Sequence, residues 1–171
     1  LISTQTASSS STISFTSGID STYKEYIFKY INIHPASAEH FTFQGSTDGG
    51  SSYGVTLTST YFHAKHDEGD SSTSLAYVTG KDLAQSTSYL RLADSLSTSA
   101  DESTSGTLHL FNPSDTTFAK HFISRSSVSN TEAKDGFVAG YFNTTSAIDA
   151  IQFKMSSGVI ESGVVKLYGV S

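Results

Sequence analysis

The residues best suited to chemistry stand together in Tyr61 to Asp70, which reads YFHAKHDEGD. An imidazole with carboxylates can hold a divalent transition metal, and carboxylates in a loop beside a glycine such as Gly69 suit calcium. If an ion binds here, His63, His66, Asp67 and Asp70 are the ligands to expect, with Glu68 beside them. The spacing matches no calcium-loop pattern, however. His63 and His66 are also three residues apart, so an extended backbone sends them to opposite faces. The plainer reading, and the one the spacing favours, is a solvated passage from strand to loop. Asp48, Asp101 and Glu102 would join an ion site only if the loops gather at one end of the fold.

Other chemistries find less support. The chain has no cysteine, which removes thiol nucleophiles, disulfides and thiolate zinc sites. Its many serines and six histidines would allow a triad on paper, but the one G-x-S-x-G string, GSSYG from Gly50 to Gly54, falls in the turn stretch Ser46 to Gly54 with no helix after it, not at a strand-to-helix elbow. His109 lies in LHLF between Leu108 and Leu110 and is expected to face outward, and His121 in KHFIS reads as a strand residue too. A glycosidase needs two carboxylates held about 5–10 Å apart across a cleft. The acids here fall mostly in loops, and there is no tryptophan to stack on a sugar. No catalytic residue, no enzyme activity and no cofactor are therefore expected. Asn143-Thr144-Thr145 is a formal glycosylation sequon, easily produced by chance in a threonine-rich chain. Tyr53, Tyr61, Tyr77 and Tyr89 lie near loop boundaries and are the candidates for ligand contact, by stacking on a sugar or packing on a partner. Packing in the core or at its rim is the competing role for each.

Composition narrows the class further. Of 171 residues, 33 are serine and 21 threonine, while only 15% are charged. Typical domains carry about 25% charge, so hydroxyls take the place of charge as solvating groups. With a net charge of −6 and no basic stretch, a nucleic-acid partner is not expected. No apolar run approaches the ~18 residues of a membrane helix. The 11 Phe and 9 Tyr are enough to fill a core, so the chain is expected to fold. Its length fits one domain with a short arm. The chain begins at Leu1 rather than Met, so preceding residues are expected, and no secretory signal is visible.

The elements that must position these residues read as short β-runs separated by Ser, Thr, Gly and Asp clusters. Residues 1–11 are expected to be an N-terminal arm, the run SSSST from Ser8 to Thr12 reading as a flexible arm or a turn before the first strand. Strands are expected over 12–15, 23–34, 41–46, 54–64, 75–78, 89–93, 106–111, 119–126, 136–142, 147–155 and 162–170. Tyr23 to His34 places Tyr26, Phe28 and Tyr30 on one face and Ile27, Ile31 and Ile33 on the other, the pattern of a strand covered twice. Aromatics of Tyr23–Tyr30, Phe118–Phe122 and Phe137–Phe142 are expected to meet between sheets. Asp48-Gly49 is a hairpin signal, Asn112-Pro113-Ser114-Asp115 a turn, and Lys81 to Gln85 fits one helical turn. Residues 12–171 are thus expected to form one all-β domain: an antiparallel two-sheet β-sandwich, jelly-roll-like, with nine to eleven strands.

Four segments extend this reading: LISTQTASSSSTISFTSGIDSTYKEYIFKYINIHPAS from Leu1, GTLHLFNPSDTTFAKHF from Gly106, AGYFNTTSAIDAIQFKMSSG from Ala139 and VVKLYGV from Val164. They resemble virion structural proteins of tailed phages, especially marine and cyanobacterial ones, from Leu1 to Val170. The SGIDSTYKEYIF opening and the TSAIDAIQFKMSSG…KLYG ending carry most of the likeness. The resemblance implies a non-enzymatic role in the virion as a capsid-decoration, tail-accessory or fibre protein. Other virion subunits would be its partners, with a homo-oligomer, a trimer by analogy, and a host-surface glycan as a further ligand. A carbohydrate-binding, lectin-like module is the alternative. No catalytic residues follow from the likeness. A surface poor in charge and rich in small hydroxyls fits such packing, because Ser and Thr lose less side-chain entropy than Lys or Glu when covered.

Overall fold

Lys120 to Ser129 alternate buried and exposed at every position, the period-2 signature of a strand with one wet face. The same logic repeats along the chain. The structure, a computed structural model, describes residues 1–171. Its strands are β1 (Ser3–Ser10), β2 (Ile13–Phe15), β3 (Glu25–Pro35), β4 (Glu39–Ser46), β5 (Leu57–Asp67), β6 (Thr73–Tyr77), β7 (Leu90–Leu96), β8 (Thr104–Phe111), β9 (Lys120–Ser129), β10 (Glu132–Phe142), β11 (Ala150–Met155) and β12 (Ile160–Val170). They form two antiparallel sheets, one of eight strands in the order β1-β12-β3-β8-β9-β10-β5-β6 and one of four in the order β2-β11-β4-β7. The all-β sandwich read from the sequence is the fold observed, with twelve strands rather than nine to eleven.

The twelfth strand is β1. In place of a flexible arm, Ser3 to Ser10 pair with β12 in continuous register from Ser3↔Leu167 to Ser8↔Ser162. Serine and threonine tolerate an edge strand, and Ala7 turns its methyl into the core. Composition had pointed to disorder; the unpaired edge of β12 supplies the hydrogen bonds that order the segment.

Tyr26, Phe28, Tyr30, Phe41, Phe43, Phe122, Phe142 and Phe153 meet between the sheets. Their contacts are mostly edge-to-face, such as Phe15 on Phe28 at 5.3 Å and Phe43 on Phe122 at 5.2 Å, the geometry that ring quadrupoles favour. Burial of each ring contributes roughly 1.5–3 kcal/mol, which holds the sandwich without disulfides.

Several expectations are corrected. β3 is not covered on both faces: Ile31 is exposed and Ile27 only partly buried. Ile33 does reach the core, because Asn32 adopts φ +49° and Gly163 opposite adopts φ +124°. The register slips there on both sides of β3, and the extra residue of a bulge reverses the in–out parity beyond it. Phe118 lies outside the strand in the preceding loop and is 69% exposed. Phe137 points outward, since it is an odd number of positions from the buried Phe142. Asp48-Gly49 forms a turn but not a hairpin, because β4 pairs with β11 and β7 rather than β5. Its turn carries the chain between sheets, with Asp48 accepting from the Ser46 hydroxyl at 2.6 Å and the Ser52 amide at 2.9 Å. Lys81 to Gln85 is irregular rather than helical.

Four strands cannot cover eight. The second sheet lies over part of the first, with β7 packed against β9 and, more lightly, β10. The inner side of β5 and β6 lies beyond β7, near the loop after β6. The outer side of the eight-stranded sheet has no protein layer over it.

Candidate functional site

The large sheet's outer face is set by register. One row runs Tyr77, Phe62, Phe137, Arg125, Thr107, Lys29 and Lys166 from β6 to β12. The next runs Thr60, Ala139, Ile123, His109, Ile27 and Tyr168. On the β6 side the face is apolar: Leu75 is 77% exposed, Tyr77 52%, Ile123 47% and Phe62 40%. Large apolar side chains clustered on a wet sheet face form an exposed patch of the kind that a partner or ligand covers in other proteins.

The rings here stand on the sheet like books on a shelf. Phe62 stacks on Phe137 at 4.7 Å with 5° between planes, and the Arg125 guanidinium lies 4.9 Å from the Phe137 centroid. Asp135 then accepts two hydrogen bonds from Arg125, at 2.9 and 2.6 Å. Phe137 therefore has both faces taken and presents its edge. Beside this ridge lies a depression of about 420 Å³ lined by Phe62, Phe137, Ile123 and His109. It continues past Arg125 into a trough of about 630 Å³ over Ala64, Ala133, Ser105 and Ser127. Small residues at these positions keep the floor low. His109 is turned toward β3, its Nδ1 2.6 Å from Glu25 Oε1.

A second cluster occupies the inner side of β5 and β10. Asp94 on β7 is 2% exposed and is bonded by Lys81, with Arg91 at 3.4 Å and His40 at 3.2 Å. Burial raises its carboxyl, but Lys81, the Ser95 hydroxyl and His40 more than offset this and hold it below the ordinary carboxylate value. Glu132 bridges Lys65 at 3.0 Å and Lys134 at 2.8 Å, and its carboxyl is likewise held low against its own burial. Burial, followed by the charges of Arg91 for His40 and of Lys81, Lys134 and Lys65 for His63, pushes both imidazoles below their usual value. The buried Tyr61 phenol is pushed up by burial, then by the charge of Asp94.

The metal candidates do not converge. His63 faces inward and is buried, whereas His66 lies on the outer face, as strand parity requires. His66 Nε2 instead meets Asp70 Oδ1 at 3.0 Å. Asp67 closes the β5–β6 turn, accepting from Ser71 N at 3.0 Å and Ser71 Oγ at 2.6 Å. β5 runs on to Asp67, past the end expected at residue 64, so the connection to β6 is short. No three His, Asp or Glu side chains come together as ligands for a metal ion.

The tyrosine candidates divide. Tyr61 is wholly buried core, and Tyr53 is half-buried with no partner for its hydroxyl. Tyr89 donates to Gln152 and lies under Lys154, whose Nζ is 4.2 Å from the ring centroid. Tyr77 alone is well exposed; its hydroxyl donates to Asp82, and it joins the outer apolar row. Sequence reasoning missed Phe62, Phe137, Ile123 and Arg125. The odd-position apolar residues of the β9 and β10 alternation were the available signal. It also missed Asp94, Lys81 and Lys134, which come from three separate segments and share no motif. The chain matches no family model and no curated protein.

Proposed function

We propose that this chain is a non-enzymatic structural protein of a phage particle, of capsid-decoration, tail-accessory or fibre type. It acts by packing against neighbouring subunits through the outer face of its eight-stranded sheet. The observation that carries this reading is the uncovered apolar patch of Leu75, Tyr77, Phe62 and Ile123 on a hydrogen-bonded, rigid sheet. Covering such rings with a partner removes apolar area from water at roughly 25 cal/mol per Å². Other virion subunits are the partners in this reading, the virion is its location, and trimerisation follows by analogy with other virion proteins.

The test is biochemical and visual. Virions purified from an infected culture carry the chain at stoichiometric copy number, and electron microscopy locates it on the particle. A Phe62→Asp, Ile123→Asp double variant folds but fails to join particles. A chain that stays with the cell lysate and is absent from purified particles overturns the proposal.

A carbohydrate-binding, lectin-like role is the second reading. The trough favours it, because Arg125, Asp135 and His66 converge there over a low floor. The edge-on ridge weighs against it, because sugars stack on ring faces and both faces of Phe137 are occupied. A glycan array with wild type and Tyr77→Ala separates the two: saturable binding lost in the variant favours the lectin, and none favours packing.

A further inference from the structure

The two sheets end in four edge strands, and three of them are blunted. β2 is three residues long. β7 breaks register twice against β4 and carries Arg91 and Asp94. β1 exposes only serine, threonine and glutamine, and turns left-handed at Ser9 with φ +49°. Brevity, bulges and charge keep an edge from pairing, and an edge without apolar side chains gains little by it. β6 has none of these devices. Its register with β5 is unbroken from Phe62↔Tyr77 to His66↔Thr73. It contains no proline, and no charged residue stands between Asp70 and Lys81. Leu75 and Tyr77 lie exposed on it.

The ladder decides which backbone groups of β6 are free. Val78 N donates to Tyr61 O at 3.0 Å, and Asp67 N donates to Ser72 O at 3.1 Å. Bonded and non-bonded pairs alternate in an antiparallel ladder, so between these two bonds Ser74 and Ala76 turn their amides and carbonyls to β5. Thr73, Leu75 and Tyr77 turn theirs away from the sheet, where no turn or loop bonds them.

We propose that β6 pairs antiparallel with β6 of a second copy of this chain, about a two-fold axis at Leu75, and joins the two eight-stranded sheets into one. The axis sets Leu75 opposite Leu75, and Thr73 opposite Tyr77 of the other copy. Each of these pairs exchanges both of its N–H···O bonds, so every free donor on the edge meets a free acceptor. No like charges come together, because the segment has none. The outer face continues across the axis: Phe137, Phe62 and Tyr77 of one copy run on to Thr73 and His66 of the other. The two Leu75 side chains, each beside its own Ala64, cover one another. A foreign strand would also satisfy the backbone; what favours a second copy is that spacing, neutrality and side chains match themselves about Leu75. The inference rests on the packing reading above and names the neighbour. A two-fold contact is isologous, whereas a trimer closes through a head-to-tail one, so the two are compatible in one particle.

The experiment uses the full chain. Sedimentation over a range of concentrations should show a reversible dimer, or a hexamer where the trimer also forms. Leu75→Lys and Leu75→Glu alter an exposed side chain and should keep the thermal midpoint. Each should weaken the pair at least about tenfold, since like charges then face each other across the axis. An equimolar mixture of the two variants should associate again, a repair that mere loss of an apolar contact does not allow. Hydrogen exchange reads the same contact residue by residue. The amides of Thr73, Leu75 and Tyr77 should gain protection as concentration rises, while those of Ser74 and Ala76, already bonded to β5, should change little. A wild-type chain that stays monomeric, variants that associate as well as wild type, a mixture that stays apart, or no added protection at the three outward amides would overturn the proposal. A chain that is monomeric alone but protected there in purified particles would give the edge to another subunit, and would overturn it too. The two readings fail separately: a β6 pair in solution with no copies on virions removes the particle role and leaves the pair.

Discussion

The two sides of the β5–β10 pair invert the usual arrangement. Tyr61, His63 and Lys134 point inward, toward a cluster of buried charges around Asp94 and Glu132. Phe62 and Phe137, on the same two strands, point outward and stack in water's reach. Across β9 and β4 the pattern is the ordinary one, with Phe122 and Phe43 in contact inside. The difference is one of cover. The four-stranded sheet packs over the centre of the larger one, where apolar side chains gain from burial. Beyond β7 the inner face meets a loop rather than a strand, and polar heads can be satisfied there by ion pairs. The outer face at the same place has no protein layer over it.

Removing the hub of the inner cluster should have the largest effect. Asp94→Asn leaves Lys81, Arg91 and His40 without their shared carboxylate, and loss of one partner from a buried pair costs about 3 kcal/mol or more. Urea unfolding measures it, and a loss below about 0.5 kcal/mol, the level of an ordinary surface change, would remove the cluster's structural role.

Acid should act on the same side of the sheet. His40 and His63 are held below their usual value by burial and neighbouring cations, so the unfolded chain takes up protons first as pH falls. Their contribution is full above the ordinary histidine value near 6.5 and is lost as pH drops through the lower folded values. Asp94 behaves alike at lower pH, its folded carboxyl lying below 3.8. Unfolding midpoints recorded from pH 8 to pH 4 should decline, with the first decline weakened in a His63→Gln variant.

The outer face should behave in the opposite sense. Phe62→Ser and Ile123→Thr should each change monomer stability by only about 1 kcal/mol or less, because the side chains are already wet. They should nonetheless reduce subunit association, read by sedimentation. Strong destabilisation of the monomer would mean that the outer face is core by another name. Smallest of all, Arg125→Ala should leave the urea midpoint close to unchanged, because its ion pair with Asp135 is exposed and screened by solvent.

Much of this was legible in the residues. Period-2 runs in Lys120–Ser129 and Leu57–Tyr61, turn chemistry at Asn112–Asp115 and twenty aromatic rings indicated a β-sandwich. Strand parity alone separated His63 from His66. The site was less visible. Whether an outward Phe on β10 is covered depends on how many strands the opposing sheet holds, and no local pattern carries that number. The Asp94 cluster joins residues more than fifty positions apart, from His40 to Asp94.

Alternation of side chains along an extended backbone is a local, covalent property, so most of the strands, and which of their residues share a face, were determined by the amino-acid order. Partner strands, the eight-to-four division, the ordering of β1 on β12 and the reversal of parity at Asn32 arose only from long-range pairing. Hydrogen bonds between backbones are alike whatever the side chains, so which strands meet is decided by the packing of the whole chain at once.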